Sequence, residues 1–203
     1  LDEFCTEWTV VVPVKHTAHG KSRLGGVDRE RLAAAIALDT IAAACAVCPV
    51  VVVTADATVA GAAQELGATV VPEDGPHGLN AAIAAGIAAV PDGHRAALLG
   101  DLPALRGADL AAALREAASV DRAVVPDAEG TGSTLVTARA GVSWAAAFGD
   151  GSLARHIALG CTVLEAPEAL RRDVDTSAQL AAAARLGLGP RTAALWCGAG
   201  RRA

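Results

Sequence analysis

Three cations, Lys15, Lys21 and Arg23, lie within nine residues of one another in the segment PVKHTAHGKSRL, residues 13–24. They follow a continuous apolar run, Trp8 to Val14, that reads as a buried strand. Cations crowded at the carboxyl end of a strand suit a polyphosphate, whose charge density draws lysine and arginine and where backbone N–H groups assist. Gly20-Lys21-Ser22 imitates the tail of a P-loop, but the first glycine of that pattern would fall at position 15, which is Lys15. Arg23-Leu24 then meets Gly25-Gly26, a poor helix opening, so a P-loop's backbone cradle and helix dipole are not expected. The grip expected here is made by side chains.

Carboxylates supply the matching feature. Asp101, in Gly100-Asp101-Leu102-Pro103, directly follows an apolar strand and is fixed by the proline. Such a group suits Mg²⁺, which takes one or two carboxylates plus phosphate oxygens; it equally suits the cap of the next helix. In Arg171-Arg172-Asp173-Val174-Asp175-Thr176 the two aspartates are two apart, so on an extended segment they point the same way. The Asp175-Thr176 pair also suits the N-cap of the helix that follows. Asp101, Asp173 and Asp175 together are enough for one or two divalent ions clamping a polyphosphate.

Two further segments suit a smaller anion. Phe148-Gly149-Asp150-Gly151-Ser152 opens a short helix, where glycines allow close backbone approach. Gly130-Thr131-Gly132-Ser133-Thr134 adds hydroxyls and N–H groups. Between strands, Asp74-Gly75-Pro76-His77-Gly78-Leu79-Asn80 forms a tight turn at which Gly75 and Gly78 let a planar base approach, with Asn80 placed to hydrogen-bond its edge. His16, His19, His77, His94 and His156 are read as ordinary histidines without a catalytic role. Cys45-Ala46-Val47-Cys48 has redox spacing but ends an Ala-rich helical pattern, and no second pair completes a zinc site.

The elements that must position these groups alternate. Strands are expected at Trp8 to Val14, Val50 to Val53, Ala68 to Val71, Arg95 to Leu99 and Arg122 to Val125. Helices are expected at Arg29 to Ala44 (Asp28 as N-cap), Thr54 to Leu66, Leu79 to Ala89 and Ala108 to Ala117. This pattern indicates an α/β fold with a mostly parallel sheet, helices on both faces, and ligands beyond the carboxyl ends of the strands. After Val125, strands at Gly132 to Thr137 and Thr162 to Leu164 and helices at Ser152 to Leu159 and Thr176 to Leu186 read as a small strand-helix lobe appended to one domain, residues 1–203.

Composition narrows the partners. The 203 residues carry a net charge of -5, which argues against nucleic acid. No apolar run approaches the roughly 20 residues of a spanning helix, and Leu1 to Glu7 lacks a signal pattern, so no membrane partner and a cytoplasmic location are expected.

In this order, VVPVKHTAHGKSRL, PEDGPHGLNAAIAAG, ALLGDLP, VVPDAEGTGST, FGDGSLARH and RRDVDT resemble the guanylyltransferases of coenzyme F420 biosynthesis, which act on 2-phospho-L-lactate or phosphoenolpyruvate. The resemblance spans nearly the whole chain outside the termini. It implies a Rossmann-like, GT-A-like nucleotidyltransferase fold of three layers. It also implies transfer of GMP from GTP to a phosphorylated three-carbon acid, with release of diphosphate. It implies further that Asp101, Asp173 and Asp175 hold Mg²⁺, and that Thr134 or its neighbour Ser133, with Gly149 and Ser152, contacts the acid. The nucleophile would be a phosphate oxygen of the acceptor, with a second pKa of roughly 6, so no side-chain base is needed. Lys15, Lys21, Arg23 and the metal would act electrostatically. The Ala-rich, Lys-poor composition suits a high-GC bacterial genome and, by association, phosphoenolpyruvate. Competing readings are a different acceptor (3-phospho-D-glycerate, a pterin cofactor or a sugar phosphate) and a GTP sensor without turnover. A homodimer is allowed but not specified by the sequence.

Overall fold

The computed structural model describes residues 7–15, 29–73, 78–90 and 92–196. β1 (Trp8–Val14) is the strand that the apolar run predicts, and its period of two sorts the core. Trp8, Val10, Val12 and Val14 pack on one side with Ile41, Leu110 and Leu114, whereas Val11 packs on the other with Ile83 and Ile87. A strand buried on both faces belongs inside a sheet covered by helices on both sides.

The remaining strands are β2 (Val50–Thr54), β3 (Thr69–Pro72), β4 (His94–Leu98), β5 (Arg122–Pro126), β6 (Ser133–Ala138) and β7 (Thr162–Val163). The helices are α1 (Arg29–Cys45), α2 (Ala57–Glu65), α3 (Leu79–Ala88), α4 (Gly107–Ala117), α5 (Ser152–Ala158), α6 (Glu168–Arg171), α7 (Ser177–Leu186) and α8 (Pro190–Leu195). All seven strands form one sheet in the order β3-β2-β1-β4-β6-β5-β7. β1 is parallel to β2 and β4, β2 to β3, and β5 to β7.

β6 is the exception, and the chain dictates it. Residues 127–132 are too few for a crossover, which takes about a dozen or more, so the chain turns back as a hairpin and β6 runs antiparallel to β5. It fills the gap left between β4 and β5 by the α4 connection and pairs antiparallel with β4 as well. The segments read from sequence as an appended lobe are thus built onto the same sheet, with β6 inside it and β7 at its edge. Both edges are short: β3 has four residues and β7 two, which limits strand addition from outside.

Local chemistry sets several boundaries. α2 starts at Ala57 rather than Thr54, because Thr54 completes β2 and Asp56 caps the helix, accepting from the N–H groups of Thr58 and Val59 at 2.9 and 3.1 Å. The expected Asp28 cap lies outside the described residues. α3 lies so close to the sheet that a Cβ at Gly86 would collide with Val11 and Val53. α6 and α8, of four and six residues, are too short to leave a periodic signature. α8 docks on α1 through buried Asp39, which accepts from the backbone N–H groups of Arg191 and Thr192 at 3.2 and 2.7 Å. Among the described residues no helix is long and apolar enough to cross a membrane.

Candidate active site

A cavity of about 630 Å³ opens at the carboxyl edge of the parallel strands. Its walls are the ends of β1 and β4, the β5–β6 hairpin loop, the loop before α5 and the segment before α7. The crossover rule expects ligands at this edge. Lys15, exposed at the end of β1, reaches it. Lys21, Arg23 and Gly75 lie outside the described residues.

Part of the lining is acidic. Asp101, Asp127, Glu129, Asp150, Asp173 and Asp175 all line the cavity. Asp127 accepts from the N–H groups of Thr131 and Gly132 at 2.9 and 2.7 Å, and Glu129 pairs with Arg172. The turn bearing Asp101 is tied to the segment bearing Asp173 by a backbone hydrogen bond, Val174 N–H to the Asp101 carbonyl at 3.1 Å. Leu102 N–H donates to Thr40 Oγ1 in the middle of α1, which fixes the same turn from behind. The alternative caps resolve as well. Thr176 caps α7 in a capping box with Gln179, so the Asp175 carboxylate is not the cap.

Burial, and then repulsion from Asp101, Asp175, Asp127 and Glu129, pushes the Asp173 carboxyl up to about 7. One of its oxygens, Oδ1, is buried without a hydrogen-bond partner. An orphaned carboxylate oxygen among like charges is a set of hard donors fit for a divalent cation. Among the described residues no three such side chains already stand as a closed ligand cluster. Asp101, Asp173 and Asp175 line the same cavity without forming such a cluster.

The lining also carries hydroxyls, with Asp150 beside them in the loop before α5. Ser133, the first residue of β6, and Ser152, the first of α5, are buried side by side with hydroxyl oxygens 3.3 Å apart. Ser133 faces the cavity. Thr134, the next residue along the strand, points the other way and donates to the Leu170 carbonyl at 2.8 Å. Of the two, Ser133 lines the cavity, and the Thr134 hydroxyl is engaged away from it. Gly149 lines the cavity with φ 121°, a conformation that favours glycine. α5 has seven residues, a short source of helix dipole, so local N–H and O–H groups supply the positive potential.

Asn80 meets the loop before α5. Its amide spans the Phe148 backbone, with Nδ2 donating to the carbonyl at 3.0 Å and Oδ1 accepting from the N–H at 2.9 Å. Through these two bonds it anchors the glycine loop. Gly78, with φ 125°, is the N-cap of the helix that carries Asn80. Other residues that sequence reasoning passed over also hold this loop. Arg155 donates to the carbonyls of Ala147 and Asp150 at 3.0 and 2.6 Å. His156 Nε2 accepts from Ala147 N–H at 2.9 Å, while Nδ1 lies 2.9 Å from Ser133 Oγ. A local signal existed: Ser152 and His156 are four apart, on one face of a helix. Arg171 similarly donates to the carbonyls of Pro126 and Asp127, joining the acidic segment to the end of β5.

The fold is that of a nucleotidyltransferase. A solved structure from Desulfovibrio desulfuricans G20, named for nucleotide-diphospho-sugar transfer, superposes with a TM-score of 0.67 at 18% identity, covering 93% of each chain. The 4-diphosphocytidyl-2C-methyl-D-erythritol synthase of Anaerococcus prevotii gives 0.60 at 10% identity, covering 92% of this chain and 99% of that one. Sequence relatives are much nearer. Phosphoenolpyruvate guanylyltransferases of Salinispora arenicola and Streptomyces coelicolor are 50% and 48% identical, over 94% and 93% of this chain and 94% and 95% of theirs. Residues 8–162 match the family model described as guanylyl transferase CofC like, and the chain belongs to that family.

Proposed function

We propose that this protein transfers GMP from GTP to phosphoenolpyruvate, releasing diphosphate and forming enolpyruvoyl-2-diphospho-5'-guanosine, a step in coenzyme F420 biosynthesis. The observation that carries the reading is that one cavity is lined both by the carboxylates of Asp101, Asp173 and Asp175 and by the hydroxyls of Ser133 and Ser152. The relatives named above support the choice of nucleotide and acceptor.

In this reading Asp101, Asp173 and Asp175 hold Mg²⁺, which when bound offsets negative charge on the triphosphate and the departing diphosphate. Lys15, with Lys21 and Arg23, engages the same phosphates as fixed cations. Ser133, Ser152 and the backbone at Gly149 donate to the acceptor, turning one of its phosphate oxygens toward the α-phosphorus of GTP. That oxygen forms the new P–O bond, and the bond from the α-phosphorus to the bridging β-phosphate oxygen breaks. The acceptor phosphate is ionised at neutral pH, with a second pKa of roughly 6, so no proton need be removed. The residues then contribute proximity and electrostatic stabilisation.

The test is diphosphate release with Mg²⁺, pairing GTP, ATP, CTP and UTP in turn with phosphoenolpyruvate, 2-phospho-L-lactate and 3-phospho-D-glycerate. Release with GTP and phosphoenolpyruvate is expected. Release with another acid alone would replace the acceptor, and GTP binding without release from any pairing would favour a sensor.

A further inference from the structure

His156 is wholly buried behind the cavity, touching Ser133 on one side and the glycine loop on the other. Each ring nitrogen has one partner, and the partners differ in kind. Ala147 offers a backbone N–H, which can only donate, so Nε2 must carry a lone pair. A neutral ring with a lone pair on Nε2 carries its proton on Nδ1. That proton points at Ser133 Oγ, 2.9 Å away, and Ser133 must accept it. The Ser133 hydroxyl proton is thereby barred from the ring. It is left to Ser152 or to the cavity, and if it goes to Ser152 then the Ser152 proton is the one left over. In either arrangement the serine pair faces the cavity with an O–H donor. With the other tautomer, Ser133 would spend its proton on Nδ1 and turn lone pairs toward an incoming anion.

Resting on the guanylyl-transfer reading, we infer that His156 is a positioning residue that fixes the serine pair as a hydrogen-bond donor to the phosphate of the acceptor. The ring is held for this task. Phe148, whose backbone Asn80 clamps, packs edge-on against it with centroids 5.0 Å apart at 70°. Burial, and then the neighbouring Arg155 cation, pushes its pKa down to about 4, so the ring stays neutral while the acceptor's phosphate is ionised. One imidazole therefore links the first residue of β6 to the loop that carries Gly149.

Three variants separate the two bonds. Asparagine places an amide near Nδ1, so His156→Asn keeps a donor to Ser133 and loses the Ala147 contact. Glutamine places its amide near Nε2, so His156→Gln keeps the Ala147 contact and loses the donor. His156→Ala loses both. The KM for phosphoenolpyruvate is expected to rise about tenfold or more in the Ala and Gln variants, as for a lost hydrogen bond to a charged group. Asn should recover most of that affinity, and KM for GTP should stay near wild type throughout. Equal KM values for Asn and Gln, or parallel changes for both substrates, would overturn the inference. The ring proton is also directly readable in the wild-type protein by long-range ¹H–¹⁵N correlation. An Nδ1–H tautomer is expected, and an Nε2–H tautomer would overturn the inference even in a fully active enzyme. A wild-type protein inert toward phosphoenolpyruvate would instead overturn the transfer reading, while the imidazole spectrum would still decide how the serine pair is oriented.

Discussion

Asp173 shows how one residue can oppose stability and serve the site. Its folded-state pKa is raised to about 7, mainly by burial and then by neighbouring carboxylates. Between roughly pH 4 and 7 the folded chain holds a proton that the unfolded chain has released, so this group's contribution to stability is lost as pH rises through the window. Asp173→Asn should therefore raise the melting temperature of the metal-free protein near pH 8 and change it little at about pH 4. Each kcal/mol of relieved repulsion corresponds to roughly 2–4 °C, and the same variant should lose guanylyl transfer. An equal gain at both pH values would sink the repulsion account. The aspartates and Ser152 were legible because residue type and place, after a strand or before a helix, suffice to suggest a ligand. His156 was not, since its partners stand 23 and 9 residues away in sequence and its value lies in which nitrogen each one meets.

At the scale of elements, the loop before α5 is built rather than merely permitted by glycine. Asn80 from α3 and Arg155 from α5 each hold it by two hydrogen bonds, within residues 147–150. The two readings of Asn80 give different kinetics. If it anchors the loop, Asn80→Ala raises KM for the acceptor about tenfold, the scale of a buried pairing lost, and leaves KM for GTP nearly unchanged. If it reads guanine, the GTP value moves instead, so measuring both decides. Thr176 gives a second case, since its capping box starts α7 directly after Asp175 and its own cap position. Thr176→Ala should cost about 1 kcal/mol of stability. It should also raise the Mg²⁺ concentration needed for half-maximal activity, because the turn into α7 that carries Asp175 loses its anchor. A fall in melting temperature without that shift would confine Thr176 to folding. The capping signal could be read locally, from Thr and Gln three apart, whereas α6 and α8 owe their helicity to docking against α4, α7 and α1.

Across the whole molecule, the alternation of strands and helices was enough to place a cavity at one edge of a parallel sheet. It was not enough to order the sheet, because the antiparallel position of β6 depends on which gap the α4 connection leaves open. That insertion matters to the site: it sets Ser133 beside the strand that ends in the Asp101 turn, so a hydroxyl and a carboxylate of the cavity rest on neighbouring strands. Asp101 and Asp173 are far apart in sequence and meet only when the sheet is assembled, so an ion that binds them binds the folded chain and not the unfolded one. Mg²⁺ with GTP at a hundred times the dissociation constant should then stabilise the fold by about 2.7 kcal/mol, a rise in melting temperature of roughly 5–10 °C. Asp173 must lose its proton to accept the ion, so the rise should be smaller near pH 6 than near pH 8. Thermal unfolding with and without Mg²⁺ and GTP, in the wild type and in Asp101→Asn, measures this directly. The increment should vanish in the variant, and an undiminished rise there would remove Asp101 from the metal site and leave the stabilisation to the cations at the end of β1.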